Sequence, residues 1–180
     1  GLDIYRPLTL LSLGLDFSLY QETPLGYHLS NLVLHLINGV LLYMLARDLL
    51  GEDQAALWAA LLYVSHPIQT EVVAWVSARG DLLATLFFLG AFLAHRRDLW
   101  RWRIAAWILY GAAVFSKETA VVLPGVLFLQ TWYLDRSEDS RTVFLWTWIK
   151  RNYGYGVVLL AALVLRWLAL ADSSAPTGPG

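Results

Sequence analysis

Two long, predominantly apolar runs, residues 28–46 and 153–171, constrain the fold of this 180-residue chain most strongly. Each run is close to the roughly 20 residues that an α-helix needs to cross the hydrocarbon core of a bilayer. Hydrophobic residues make up 58% of the sequence and charged residues 15%, whereas soluble domains carry about 25% charged residues. Because a water-soluble fold of this size could not bury so much apolar surface, we expect an integral membrane protein.

Shorter apolar runs lie between the two long ones, and short segments with charged residues separate them. They cover residues 55–64, 82–94, 104–115 and 119–134. Short spans are tolerated where their ends open onto a protein-lined cavity that contains water. The sequence therefore predicts an all-α, polytopic transmembrane helical bundle of about six membrane spans, with additional interfacial helices.

The two ends of the chain differ from its centre. Residues 6–20 place four leucines at helical spacing behind Pro7, which predicts a helix lying along the membrane interface. The sequence opens with glycine instead of methionine, and we interpret the chain as a fragment of a longer protein. We expect three parts: the end of a first lumenal or periplasmic loop with the interfacial helix (1–27), a transmembrane domain (28–171) and a truncated loop on the same side (172–180).

The distribution of cations predicts the orientation of the bundle. If six spans alternate, nine cations fall on one side: Arg47, Arg96, Arg97, Arg101, Arg103, Arg136, Arg141, Lys150 and Arg151. Three cations, Arg6, Arg79 and Lys117, fall on the other side, and Arg166 lies inside the last run. The positive-inside rule therefore places the first side in the cytoplasm and the second side in the lumen or periplasm.

The first long run carries a polar stripe. His28, Asn31, His35 and Asn38 are spaced three, four and three residues apart, so they share one face of a helix. We expect His35 and Asn38 to face other helices, since an unpaired polar group in hydrocarbon costs several kcal/mol. His28 and Asn31 lie near the outer end and are candidates for a functional site.

The segment after the second run combines anchoring and candidate site residues. Pro67 favours the start of a short interfacial helix, on which Glu71 and Trp75 would share one face. A purely structural alternative has Trp75 anchored at the headgroups and Arg79 paired with Asp81. A histidine, a carboxylate and an arginine so close together are more than anchoring needs. The segment contributes these site candidates: His66, Glu71, Arg79 and Asp81.

The sequence Ser116-Lys117-Glu118 separates two apolar runs and places a cation beside an anion at their outer ends. Neighbouring residues of a helix diverge, so we expect Lys117 and Glu118 to find separate partners. Lys117 is a candidate to contact a lipid phosphate. The alternative is that both side chains extend into water.

Several function classes are disfavoured. The chain has no cysteine, which excludes disulfides, a thiol nucleophile and thiolate metal sites. Its net charge of −1 forms no general basic field, so nucleic acid is a poor candidate partner. A transporter should show paired repeats or matching broken helices, and none is found. A membrane scaffold would not explain a collection of charged side chains and histidines on one membrane face.

Short motifs follow one another on the expected outer face. They are Tyr5-Arg6-Pro7-Leu8-Thr9, Gly26-Tyr27-His28-Leu29-Ser30-Asn31 with Leu34-His35, His66-Pro67 with Glu71, Arg79 with Asp81-Leu82-Leu83-Ala84, and Ser116-Lys117-Glu118. In this order they resemble the membrane half of class C (GT-C) glycosyltransferases. The resemblance is closest to the branch with C-terminal TPR repeats, which includes transmembrane O-mannosyltransferases and bacterial relatives, and it extends to about Ala171.

The resemblance implies transfer of a sugar, often mannose, from a polyprenyl- or dolichyl-phosphate carrier to a protein or other hydroxyl group. It also implies an endoplasmic reticulum or bacterial inner membrane, with the active face lumenal or periplasmic. The family's catalytic carboxylate follows a first transmembrane helix that is not in this sequence, so the base is expected upstream of Gly1 and the fragment alone is expected to be inactive. No nucleotide is expected to bind; no metal is therefore required, although a divalent ion is allowed. The expected partners are the lipid-linked donor, the acceptor and membrane lipids.

The resemblance and the charges together suggest residue roles. Arg79 is expected to bind the lipid phosphate through its planar guanidinium, supported by Lys117 and Arg6. Carboxylates would orient these cations or the sugar, and histidines would line the pocket. The full substrate-binding set is Arg6, His28, Asn31, His66, Glu71, Arg79, Asp81, Lys117 and Glu118. Six of these are expected to converge around one outward-open cavity: Arg6, His28, His66, Glu71, Arg79 and Lys117.

Overall fold

The computed structural model describes residues 6–134 and 141–173, and within these ranges it contains helices and no strand. The α-helices are α1 (Pro7–Tyr20), α2 (Pro24–Leu50), α3 (Asp53–Ser65), α4 (Ile68–Ala74), α5 (Arg79–His95), α6 (Trp100–Ser116), α7 (Leu123–Leu134) and α8 (Arg141–Ser173). Short 3-10 helices cover Val76–Ala78 and Glu118–Val122. The all-helical prediction is confirmed. Arg136 and most of the expected loop at 172–180 lie outside the described residues.

The helices extend beyond the apolar runs because capping residues, not hydrophobicity, set their ends. The run 28–46 lies inside α2, which has a proline in its first turn and ends before Gly51 at φ 70°. Proline suits the first turn of a helix, and glycine readily adopts the left-handed conformation that ends one. The run 119–134 instead divides into a 3-10 helix and α7, with Pro124 in the first turn of α7.

Three described segments are long and apolar enough to cross a membrane. They are Pro24–Leu50, Val76–His95 and Phe144–Ala169. The other candidate helices are shorter, with 13 residues in α3, 17 in α6 and 12 in α7. The chain is therefore a helical membrane protein with three candidate spans, and the expected six spans stay a prediction.

The helices run back and forth between two ends of the bundle. α2 carries the Tyr27 carbonyl beside Arg79 and, further along, Asp48 beside Arg96. α5 connects these two ends, and α6 returns, because Ser116 at its last residue lies against the first turn of α5. We call the two ends of the bundle the Arg79 end and the Arg96 end.

The polar stripe on α2 packs against neighbouring helices. His35 and Asn38 are buried. His35 Nε2 donates to the Val64 carbonyl at 3.1 Å, and Asn38 Nδ2 donates to the Leu82 carbonyl at 3.0 Å. The prediction that both side chains face other helices is confirmed.

Small residues allow the helices to approach closely. Four alanines of α5 and α6 are almost fully buried: Ala91, Ala94, Ala106 and Ala113. Small side chains at helix contacts let backbones come near each other in membranes. The contact of α8 with α6 is closer still, since a Cβ atom at Gly154 would lie 2.2 Å from Cε2 of Trp107.

We expect Gly154→Ala to lower the free energy of unfolding by about 1–3 kcal/mol, because the added methyl group overpacks the contact with Trp107. Gly156→Ala on the same helix is the matched control, since a Cβ atom there meets nothing within 4 Å. Unfolding of both variants in detergent, followed by tryptophan fluorescence, measures the difference. Equal stability of the two variants would show that α6 and α8 are not packed as described.

Candidate functional site

Arg79 is the centre of a buried polar cluster. Its side chain is 1% exposed and pairs with Asp16 of α1 at 2.6 Å, whose side chain is 9% exposed. The guanidinium also donates to Asn31 Oδ1, to Ser12 Oγ at 2.9 Å and to the Tyr27 carbonyl at 3.2 Å. One side chain thus joins the start of α5 to α1 and α2.

The environment of Arg79 differs from the expectation in two respects. Its partner is Asp16, not Asp81, so the purely structural pairing within the loop is not the arrangement found. Each of its three guanidinium nitrogens donates to a protein group, and the burial leaves no open face for a lipid phosphate in this structure. Direct phosphate binding by Arg79 therefore gains no support from its position.

The helix predicted within residues 6–20 is present as α1, and it turns a polar face toward the rest of the bundle. The leucines at 11, 15 and 19 are exposed, while Thr9 and Asp16 are buried against the bundle. In a bilayer the apolar face of such a helix can point outward and its polar face inward. Sequence reasoning missed Asp16, although Thr9, Ser12 and Asp16 are spaced three and four residues apart, as one helical face requires.

Two further ion pairs surround the residues 116–118. Lys117 pairs with Asp81, and Arg6 pairs with Glu118 through two hydrogen bonds of 2.7 and 3.1 Å. The prediction that Lys117 and Glu118 find separate partners is confirmed. The hydrogen bonds from Arg6 lower the pKa of the Glu118 carboxyl group to about 2, so this pair stays ionised at neutral pH.

These two pairs are more accessible than the Arg79 cluster. The side chains of Lys117 and Arg6 are each 23% exposed, and their acidic partners are 42% and 47% exposed. The two cations can therefore reach an external anion by giving up a partly solvated carboxylate.

A backbone contact fixes the position of this region. Thr9 Oγ1 donates to the Ser116 carbonyl at 2.9 Å. A Cβ atom at Gly80 would lie 3.1 Å from that carbonyl oxygen, which is tight for any side chain. The close approach of α1, α5 and α6 places Lys117 beside Asp81.

Histidines at the same end line a separate groove. A cavity of about 490 Å³ lies between α2 and α4, and its wall includes His28, His35 and His66. Arg79 and Lys117 are not part of this wall, and Glu71 on α4 is exposed. The expected convergence of the six residues on one cavity is therefore not found: the histidines line this groove, whereas Arg79 and Lys117 lie in a second region.

Asn31 connects the groove region to the Arg79 cluster. Its side-chain oxygen accepts from Arg79, and its Nδ2 donates to the carbonyls of Val73 and Trp75 at 3.2 Å each. Asn31 is fully buried. The end of α4, close to the exposed Glu71, is thus held by the same side chain that binds Arg79.

An apolar cleft opens beside Glu118, the partner of Arg6. It has a volume of about 140 Å³ and lies between the end of α6, the 3-10 helix after Lys117 and α8. Phe115, Val121 and Leu163 line its apolar part, and Glu118 and Arg166 add charges. Arg166 belongs to the last apolar run of the sequence. In the structure it lies at the Arg79 end of the bundle.

Metal binding gains no positive indication. Within residues 6–134 and 141–173, no group of three His, Cys, Asp or Glu side chains is placed to hold a metal ion. The expectation that no metal is required, with a divalent ion allowed, stays a prediction.

The model of a family described as dolichyl-phosphate-mannose-protein mannosyltransferase matches residues 7–169. Protein O-mannosyl-transferase Tmtc1 of Drosophila melanogaster is 39% identical over 121 residues, which are 65% of this chain and 14% of that protein.

Mammalian relatives give the same result. Protein O-mannosyl-transferase TMTC3 of Mus musculus is 34% identical over 129 residues, 68% of this chain and 14% of that protein. Protein O-mannosyl-transferase TMTC1 of Homo sapiens is 41% identical over 96 residues, 53% of this chain and 11% of that protein. The chain thus spans 11% to 14% of the length of these relatives. No solved structure matches it significantly.

Proposed function

Because this chain belongs to the dolichyl-phosphate-mannose-protein mannosyltransferase family, we propose that it forms part of a membrane enzyme that transfers mannose to a protein hydroxyl group. The donor is a polyprenyl- or dolichyl-phosphate sugar. The family match and the printed activity of the relatives support this proposal. It also agrees with a helical membrane domain that buries an ionised pair, Arg79 and Asp16, inside its bundle.

The observation that carries the proposal is the pair of accessible cations beside an apolar cleft. Departure of a lipid phosphate leaves negative charge, which positioned cations stabilise. Lys117 and Arg6 are accessible enough to supply this charge, and Arg166 lines the adjacent cleft. The apolar wall of that cleft would take the part of the prenyl chain next to the phosphate.

The remaining candidates take supporting roles in this proposal. Asp81 and Glu118 hold Lys117 and Arg6 in place when no donor is bound. Arg79 is a positioning residue that fixes α1, α2 and α5. Its guanidinium nitrogens donate to hydrogen-bond acceptors on these helices and not to a substrate.

The histidine groove would accommodate the sugar or the acceptor. His28 and His66 line it, and Glu71 on α4 is exposed and available to a hydroxyl group. No residue of this chain is assigned as the base that takes the acceptor proton.

The donor class can be tested directly with the complete protein. Purified protein in lipid vesicles should transfer labelled mannose from dolichyl-phosphate-mannose to a protein acceptor, and it should not use a nucleotide-linked mannose. Transfer from the nucleotide-linked sugar alone would contradict the proposed donor. Uptake of solute into sealed vesicles without any transfer would favour a transporter instead.

The orientation gives a second prediction, which follows from the cation distribution. The Arg79 end should face the lumen or periplasm, and the Arg96 end the cytoplasm. Since the chain has no cysteine, Gln69→Cys and Trp100→Cys can be labelled singly in sealed vesicles of known orientation. An impermeant thiol reagent on the lumenal or periplasmic side should label Gln69→Cys only. Labelling of Trp100→Cys from that side would reverse the orientation.

A further inference from the structure

A polar cavity lies at the Arg96 end, away from the proposed transfer site. It has a volume of about 430 Å³ and lies between the end of α5, α7 and the first part of α8. Its wall includes these polar side chains: Arg96, Gln130, Thr131, Thr147, Arg151 and Asn152. It therefore combines two guanidinium groups with uncharged hydrogen-bonding groups.

The charges at this cavity favour an anion. Arg151 pairs with Asp98 at 2.9 Å, but the two side chains are 47% and 92% exposed. Ion pairs exposed to this degree contribute about 0–1 kcal/mol, so an incoming anion can replace Asp98. Arg96 is held more firmly, because its guanidinium contacts both the carboxylate and the backbone carbonyl of Asp48.

The surroundings keep this excess of positive charge. At the Arg96 end, the residues with described side chains include seven cations and four acids. The cations are Arg47, Arg96, Arg97, Arg101, Arg103, Lys150 and Arg151, and the acids are Asp48, Glu52, Asp53 and Asp98. Counted over these described side chains, this end has an excess of three positive charges.

An unused donor lies in the same wall. Trp148 lines the cavity, and its indole Nε1 is buried without a hydrogen-bond partner among the described residues. A buried N–H group without a partner costs free energy.

Exposed tryptophans indicate the depth of the cavity in the bilayer. Trp100 and Trp102 at the start of α6 and Trp146 near the start of α8 are all exposed. Tryptophan side chains concentrate at the level of lipid headgroups. An anion in this cavity would therefore be at the depth of the lipid phosphates.

We infer that this cavity binds the phosphate of an anionic phospholipid headgroup. Arg151 would hold the phosphate oxygens by charge-assisted hydrogen bonds, as basic pockets between transmembrane helices do. Arg96, which keeps its pair with Asp48, would add positive charge beside the phosphate. The neighbouring hydroxyl and amide groups would bind the polar part of the headgroup. The inference goes beyond the proposed transfer reaction, because it assigns a lipid site to the opposite end of the bundle.

Lipid-dependent thermal stability of the complete protein in neutral detergent tests this site. We expect short-chain phosphatidylglycerol to raise the unfolding temperature in a saturable manner, and phosphatidylcholine to do so much less. Arg151→Gln should raise the half-saturating concentration of phosphatidylglycerol about tenfold or more, the size expected from loss of one charged hydrogen bond. Thr147→Trp keeps the charge but fills the cavity, so it should weaken the response similarly.

Arg47→Gln is the matched control. Arg47 lies at the same end in an exposed pair with Asp53, and it does not line the cavity. Its loss should change the half-saturating concentration less than about twofold, since exposed charges are well screened. An equal loss in Arg47→Gln would indicate a diffuse charge effect and would overturn the inference. An equal response to inorganic phosphate or to phosphatidylcholine would overturn it as well.

Discussion

Replacing Asp16 with leucine should lower the free energy of unfolding by about 3–5 kcal/mol, the cost of leaving a buried charge without its partner. Arg79 would keep its position between α1, α2 and α5 but lose the carboxylate that neutralises it. The Ser30 hydroxyl, which donates to Asp16 at 3.0 Å, would lose its acceptor too. Unfolding in mixed micelles, followed by tryptophan fluorescence, measures the loss.

An exposed ion pair supplies the control for this experiment. Arg47 and Asp53 are 59% and 64% exposed, so Asp53→Asn should cost less than about 1 kcal/mol. Combining Asp16→Leu with Arg79→Met removes both charges and should recover part of the stability, because neither charge then remains buried alone. If Asp16→Leu were as mild as Asp53→Asn, the Arg79 cluster would not stabilise the bundle.

The helices could largely be predicted from the sequence, and their ends could not. Apolar runs indicated where the chain would be helical, and the three-four-three spacing on α2 indicated which polar side chains would be buried. The 3-10 helix Glu118–Val122 takes up the first part of a predominantly apolar run. Hydrophobicity does not distinguish a 3-10 helix from an α-helix. Pro124 gives a partial indication, because proline favours the first turn of the α-helix that follows.

The partner of Arg79 could not be predicted because it lies 63 positions away in the sequence. The local rule that residues two apart on a helix do not face each other already argued against a pair with Asp81. Choosing Asp16 required knowing that α1 turns its polar face inward. That depends on packing against α2 and α5, which periodicity does not reveal.

The division of the candidate site into two regions has a similar cause. Because successive helices run in opposite directions, the residues expected on the outer face lie at one end of the bundle. Their depth in the membrane is therefore similar. Depth does not determine position around the bundle. His28 and His66 therefore line the groove beside α4, while Lys117 and Arg6 lie at the end of α6.

Lys117→Ala should reduce mannose transfer about a hundredfold or more while leaving the fold nearly unchanged. The ammonium group is assigned to the departing phosphate, and removing one such stabilising group costs about 10² to 10³ in rate. The fold should tolerate the change because Asp81 is 42% exposed and stays solvated without its partner. Lys117→Arg should recover only part of the rate, since the guanidinium keeps the charge but differs in shape.

Lys150 provides the matched control. It is an exposed lysine at the opposite end of the bundle, where its Nζ lies 5.4 Å from the centre of the Trp146 ring. Lys150→Ala makes the same chemical change without touching the proposed site. Its transfer rate should therefore stay within about twofold of the unmodified protein, as expected for an exposed charge far from the reaction.

The most direct test of the proposed transfer site is the rate at which the complete protein moves mannose from dolichyl-phosphate-mannose to a protein acceptor. The rate is measured for Lys117→Ala and Lys150→Ala at equal amounts of folded protein in the membrane. A large loss in Lys117→Ala together with a near-normal rate in Lys150→Ala is the expected result. Equal rates in the two variants would contradict the assignment of the donor phosphate to the Arg79 end.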